Sequence, residues 1–190
     1  MGRISIHESE VAKEEHPDRW SKDLIGGPDV PTTSGFSVGI AEYFSPEFGG
    51  LQVHDDQEEV YVVSGVGRIH IAGAEHDAEP GASFLLPPGT PHATRRTGDA
   101  SVFVVYTHSA PTEEKTMGVS TTDSGEFGEL QIHDDQEALY VIAGEGQVQV
   151  GDAVVDVRPG VAIYVAPNTP HARRSTGSEP LRTLFAHGAV

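Results

Sequence analysis

Four polar residues recur in one order along this chain: glutamine, histidine, glutamate, histidine. Gln52, His54 and Glu58 fall within "LQVHDDQEE", and His92 follows His54 by 38 residues, behind the stiff turn "PPGTP". The set returns as Gln131, His133, Glu137 and His171, with the same 38-residue gap between histidines. Two neutral imidazoles, one carboxylate and an amide oxygen are mixed nitrogen and oxygen donors that suit a mononuclear Mn, Fe, Co, Ni or Zn site. A two-histidine, one-carboxylate core with open positions suits non-haem iron in particular. Taken alone, "HDDQE" is more simply a solvated acidic turn, and solvation is what we expect for Asp55 and Asp56. The repeat argues for more. The halves have diverged at many positions, such as Glu75 against Val154 and His76 against Val155, yet all four polar residues stay in register. Recurring glycine and proline follow from backbone geometry; a recurring Gln, His, Glu and His does not.

The elements that must position these side chains are short strands. In a strand, residues two apart share a face, so Gln52 and His54 point one way and Leu51 and Val53 the other. The reversal at "DDQE" brings Glu58 back beside them at the start of "EVYVVSG". Further strands read as "GRIHIAG", "ASFLLPP", "HATRRT" and "SVFVVYTH", separated by Gly, Pro or Asp. One offset, 79 residues, pairs Tyr61 with Tyr140, Gly65 with Gly144, Pro80-Gly81 with Pro159-Gly160 and His108 with His187, without a gap. A constant register over that length means two copies of one small β unit. The expected organisation is an extended N-terminal arm over 1–35, a first barrel over 36–110 and a second over 111–190, joined by "SAPTEEK".

Composition agrees with an all-β chain of 190 residues: 22 glycines and 13 prolines supply turns and break helices. Twelve Lys and Arg against 29 Asp and Glu give a net charge of −17, which repels phosphate backbones and anionic lipid. Nucleic acid and membrane are therefore excluded as expected partners, leaving a small-molecule substrate, with a homodimer as the candidate assembly. The absence of cysteine removes thiolate ligands and disulfides. With no apolar run of signal-peptide or membrane-span length, the expected location is cytoplasmic.

"QVHDDQEEVYVVSGVG" with "PPGTPH", and "QIHDDQEALYVIAGEG" with "APNTPH", resemble the two signature motifs of the cupin superfamily, twice over and in the right order. The resemblance covers about 150 residues. It implies a bicupin, two tandem jelly-roll β-barrels with one divalent metal in each, and it carries metal ligation onto His54, Glu58 and His92 and onto His133, Glu137 and His171. Most metal-binding cupins have histidine where this chain has Gln52 and Gln131. Glutamine is a weaker, neutral donor, so either it ligates the ion or it bonds a bound water or substrate from just outside. Fe, Mn or Ni is accordingly expected ahead of Zn.

Cupins host many reactions, so the fold does not choose one. The leading expectation is a dioxygenase-type oxidoreductase acting on a small organic molecule, with Glu58 or Glu137 as the catalytic proton carrier. The alternatives are a metal-dependent isomerase or lyase of a sugar or small acid, and a non-catalytic binding protein. One difference between the halves bears on substrate. Alternation after the last histidine puts Thr94 on the His92 face in the first copy but Arg173 on the His171 face in the second, where a guanidinium would clamp a substrate carboxylate. Arg95 and Arg174 fall on the opposite faces and are expected to bridge acidic neighbours between barrels. His108 and His187, at strand ends, rank below the quartet.

Overall fold

The computed structural model describes residues 2–111, 116–123 and 125–190. Thr112 to Lys115 of the expected linker lie outside the described residues. Seventeen strands and a single 3₁₀ turn, Glu8–Glu10, account for the regular structure there. The arm carries β1 (Ser5–His7), β2 (Glu14–Glu15) and β3 (Arg19–Ile25). The first copy carries β4 (Ser37–Tyr43), β5 (Gln57–Ser64), β6 (Gly67–Ile71), β7 (Ala74–Ala78), β8 (Ser83–Leu86), β9 (His92–Arg96) and β10 (Val102–Ser109). The second carries β11 (Met117–Thr122), β12 (Gln136–Ala143), β13 (Gly146–Val150), β14 (Ala153–Val157), β15 (Val161–Val165), β16 (His171–Ser175) and β17 (Leu181–Gly188).

Each copy folds against itself in the same way. In the first, the sheet β2-β3-β4-β10-β5-β8 packs with β7-β6-β9; in the second, β1-β15-β12-β17-β11 packs with β14-β13-β16. Period-two alternation drives this. In β13, Gly146, Val148 and Val150 are buried while Gln147 and Gln149 are only half-buried, so one face joins the core and the other meets water. The first core joins Ala41, Tyr43, Val60, Val62, Ala78, Leu86, Val102 and Val104; the second joins Leu139, Val141, Val148, Val150, Val157, Val161, Ile163, Val165 and Leu181. Both draw on the two sheets of their own copy. Gly65 (φ 82°) and Gly144 (φ 78°) make the left-handed turns into β6 and β13, which L side chains adopt only with strain.

The arm is divided. Residues 2–10 and 24–36 cluster with the second copy, and residues 11–23 with the first. β1 extends the second copy's sheet by pairing antiparallel with β15, and β2 and β3 extend the first copy's sheet beside β4. Gln136, fully buried, fastens the segment around Thr33. Its amide donates to the carbonyls of Ser34 (3.1 Å) and Ala189 (2.7 Å), and its oxygen accepts from Tyr164 Oη (2.9 Å) and the Thr33 amide (3.2 Å).

Two local expectations need correction. "GLQVH" is not a full strand: Gln52 and His92 form an isolated bridge, as do Gln131 and His171. The ladder stops because Thr90 N bonds Pro87 O and His54 O accepts from Gly89 N instead. Nor is all of "DDQE" turn, since β5 and β12 already begin at Gln57 and Gln136.

Candidate metal centres

Each centre is assembled from one bridge, one turn and two strand starts. The bridge exchanges both backbone bonds, Gln52 N to His92 O (2.8 Å) and His92 N to Gln52 O (3.0 Å), and so sets the "QVH" segment beside the first residue of β9. The turn before β9 then fixes the depth of His54. Gly89 (φ 74°) turns its N–H onto His54 O at 2.7 Å, and Asn168 (φ 56°) does the same to His133 O in the second copy. Asparagine is the side-chain-bearing residue that best tolerates this left-handed position. Glu58 and Glu137 are the second residues of β5 and β12, and they point to the face that His92 and His171 occupy.

In the first copy His54 Nε2 lies 3.4 Å and His92 Nε2 3.0 Å from Glu58 Oε2. In the second, His133 Nε2 and His171 Nε2 lie 3.3 and 2.9 Å from Glu137 Oε2. Within each triad the candidate ligand atoms all lie within 4.8 Å of one another. His92, His171 and both glutamates are buried, while His54 and His133 are half-buried, so each triad opens on its first-histidine side. The alternation expected of the bridge segments holds in the first copy, where Gln52 and His54 are half-buried and Leu51 and Val53 are 59% and 55% exposed. In the second copy Gln131 is exposed along with Leu130 and Ile132, and only His133 is drawn in.

The tautomers test whether a cation fits. Nδ1 of His92 faces Thr90 O at 3.0 Å, and Nδ1 of His171 faces Thr169 O at 3.0 Å. A carbonyl only accepts, so the ring hydrogen sits on Nδ1 and the Nε2 lone pair points at the glutamate. Acceptor then meets acceptor out of water: Glu58 Oε2, His92 Nε2 and His171 Nε2 are buried without a well-aligned hydrogen bond. Such a cluster needs positive charge among its lone pairs, from a proton or a metal ion. Burial opposes charge on His92, but the hydrogen bond and charge of Glu58 and the Thr90 carbonyl outweigh it and raise its pKa. His171 is raised in the same way by Glu137 and Thr169. For Glu137, burial is outweighed by the His171 contact and by the nearby His187 and Arg173 charges, so its pKa is lowered. Burial keeps His54 below the ordinary value despite Glu58. A divalent ion held by two imidazoles and a carboxylate fits both sites.

The glutamines differ. Gln52 Nε2 lies 3.4 Å from Tyr43 Oη, whereas Gln131 is exposed on a cavity rim. That cavity, about 610 Å³, is lined by Ser120, Thr122, Gln131, His133 and Arg173 among others. Arg173 reaches the same wall from β16. Its Nη1 donates to Thr183 Oγ1 at 2.9 Å, and no carboxylate lies within ion-pair distance of it among the described residues. Thr94 takes the equivalent place in β9 and is buried. Arg95 and Arg174 are engaged within their own copies, against the expected bridging: Arg95 faces Glu75 at 3.7 Å and the Phe48 ring, and Arg174 bonds Gln147 Oε1 and stacks on Phe127.

Sequence reasoning ranked two residues of each centre too low. His108 stands directly across from Glu58, and His187 across from Glu137. Their rings lie 4.8 Å from those of His54 and His133. Asp56 and Asp135 do not simply face water, for each lies 3.0 Å from Nδ1 of that further histidine. All four recur at the 79-residue offset, and that was the signal that could have found them.

Comparison with known proteins agrees with this geometry. A family model described as "Cupin domain" matches twice, over residues 44–107 and 118–187. Among solved structures, a variant of the oxalate decarboxylase from Bacillus subtilis superposes with a TM-score of 0.84 at 13% identity, covering 100% of this chain and 78% of that one. A structure of the same enzyme described for its Mn(II) centres gives 0.82 at 13% identity, with the same coverage. The oxalate decarboxylase of Lactobacillus farciminis in complex with formate gives 0.81 at 12% identity, covering 100% of this chain and 87% of that one. Among curated protein sequences none matches. The fold, the two matched segments and the doubled triad agree: the chain belongs to the cupin family and is a bicupin.

Proposed function

We propose that this bicupin is a metal-dependent lyase of the decarboxylase type, acting on a small carboxylic acid at the centre in its second barrel. This favours the lyase alternative over the dioxygenase expectation. The observation that carries the reading is Arg173, a guanidinium with no carboxylate in ion-pair distance among the described residues, on the wall of the cavity that His133 also lines. Burial disfavours its charge, lowering its pKa, while Glu137 opposes that effect. A carboxylate entering the cavity would meet a rigid two-pronged donor beside the triad. The oxalate decarboxylases that share the fold, one of them described for Mn(II) centres and one complexed with formate, support a small acid as substrate and Mn as the ion.

A bound divalent ion would supply Lewis-acid polarisation of the substrate, held by His133, Glu137 and His171. The chain's own residues do the rest. Arg173 orients the carboxylate, and Ser120 and Thr122 offer hydroxyls to its polar end. Glu137, its pKa lowered against burial by the His171 contact, stays the anionic ligand, and the proton that replaces carbon dioxide on carbon is taken from solvent through the open first-histidine side of the site.

The test loads the protein with Mn(II) or Fe(II) and offers a panel of small mono- and dicarboxylic acids. Carbon dioxide release and oxygen uptake are followed together. Arg173→Ala is expected to lower kcat/KM at least 100-fold with metal content unchanged, and Arg173→Lys to recover only part. Stoichiometric oxygen consumption would return the reading to a dioxygenase, and binding without turnover would make the chain a carrier. An Arg173→Ala variant as active as the parent would refute the proposed anchor.

A further inference from the structure

His133 is held at both ring nitrogens. Nε2 belongs to the triad with Glu137 and His171. Nδ1 meets only acceptors: the Asp135 carboxylate, in a very short ion pair, and the Asp135 carbonyl at 3.3 Å. Neither group can donate, so the ring hydrogen belongs on Nδ1 and the lone pair on Nε2, which is the tautomer a metal ligand needs. Asp135 is braced in turn. Its second oxygen lies 3.0 Å from Nδ1 of His187, whose ring stands edge-on to His133 at 4.8 Å. β17 delivers His187 directly opposite Glu137. Asp135 Oδ1 and His187 Nδ1 are shielded from solvent, so water does little to weaken these short contacts, although they are not aligned as hydrogen bonds.

The first barrel lacks the last link. Asp56 Oδ1 lies 3.0 Å from His108 Nδ1, but no ion pair joins Asp56 to His54 among the described residues. His92 and His171 have their tautomers set alike by the Thr90 and Thr169 carbonyls. Only the first histidine of the second barrel has the added carboxylate.

We propose that Asp135 is a positioning residue: braced by His187, it locks His133 in the Nδ1–H tautomer and makes the second barrel the tighter metal site. This rests on the reading of the triads as metal sites. An oriented second-layer partner is worth 10- to 100-fold in metal affinity at about the level seen for other histidine ligands, and the two barrels should differ in that range.

Two measurements on the full-length chain separate this proposal from the reading beneath it. Imidazole nitrogen–proton correlation spectra of the metal-free protein should show His133 as a single Nδ1–H tautomer and His54 as a mixture. Asp135→Ala should make His133 a mixture, and Asp135→Asn, which keeps an acceptor oxygen, should restore it. Calorimetric titration with Mn(II) then reads each barrel alone, in Glu58→Ala and Glu137→Ala backgrounds. Adding Asp135→Ala to the first background should weaken binding about 10- to 100-fold, whereas adding Asp56→Ala to the second should leave it within about twofold, the same contact being absent there. If Asp135→Ala fails to fold, His187→Gln is read instead, with a smaller loss of the same kind. Unchanged affinity or an unchanged tautomer overturns the brace. Weaker binding with the tautomer intact also overturns it, and points to a cation held directly by His133, Asp135 and His187. If neither single-barrel background binds Mn(II), the metal reading fails, and the tautomer spectra still decide the brace.

Discussion

At the scale of single residues, the two glutamates are decisive because each is the one carboxylate in its triad. Removing it leaves two imidazoles and no anionic donor, and a divalent ion held by nitrogen alone in a buried site is poorly neutralised. Protein purified without chelator is therefore expected to carry about one metal per barrel, since each barrel offers one such ligand set. Glu58→Ala should lose the first ion and Glu137→Ala the second, as read by elemental analysis. Metal content unmoved by either change would sink the assignment. The quartet was legible in the sequence because its spacing repeats. The further pair was not, although Asp56, Asp135, His108 and His187 repeat as faithfully. What places His108 against Glu58 is the antiparallel register of β10 with β5, a contact between residues 50 apart that no local pattern encodes. Residue type alone predicts a solvated Asp56, and its contact with His108 Nδ1 is what corrects that reading.

At the scale of elements, alternation disclosed most of the strands and glycine most of the turns, while pairing across the sheets stayed hidden. Gln136 illustrates the difference. It recurs as Gln57, but in sequence it looked like the polar end of a turn, because its partners Ser34, Tyr164 and Ala189 are remote. Its amide meets acceptors and donors on the arm, on β15 and beyond the end of β17. Replacing it with leucine would keep much of the volume and remove four hydrogen bonds. Thr33 N and Tyr164 Oη keep each other and the exposed Ser34 and Ala189 carbonyls turn to water, so only the net worth of each bond, roughly 0.5–1.5 kcal/mol, is at stake. A loss of about 1–2 kcal/mol is expected in urea unfolding, the net worth of the lost bonds after water and the Thr33–Tyr164 contact recover part. Metal binding by the first barrel should be unaffected. A stability loss under about 0.5 kcal/mol, as for an ordinary surface change, would show that the node does not hold the arm.

At the scale of the whole molecule, the charge of −17 and three shielded phenols, Tyr43 and Tyr140 buried and Tyr106 half-buried, set how the protein responds to alkali. Burial and the Glu58 charge push Tyr43 up to about 12. Tyr106 is raised further, by burial and then by the Asp23 carboxylate that accepts its hydrogen bond at 2.7 Å. Tyr140 is raised by burial and by Glu8, which accepts from it at 2.6 Å. A folded pKa above the unfolded value of 10.0 means that the unfolded chain gives up the proton first. The folded state then holds more protons, and stability falls as pH rises past the unfolded value. Below that value the contribution is complete, and it is lost progressively toward the raised folded values. Every phenolate released also adds negative charge to a chain that already repels itself. Absorbance of tyrosinate and the β signal in circular dichroism are therefore expected to move together in an alkaline titration, in one cooperative step that added salt shifts to higher pH by screening the repulsion. Ionisation of these three phenols with the β signal intact would show that their burial and carboxylate partners do not couple them to the fold.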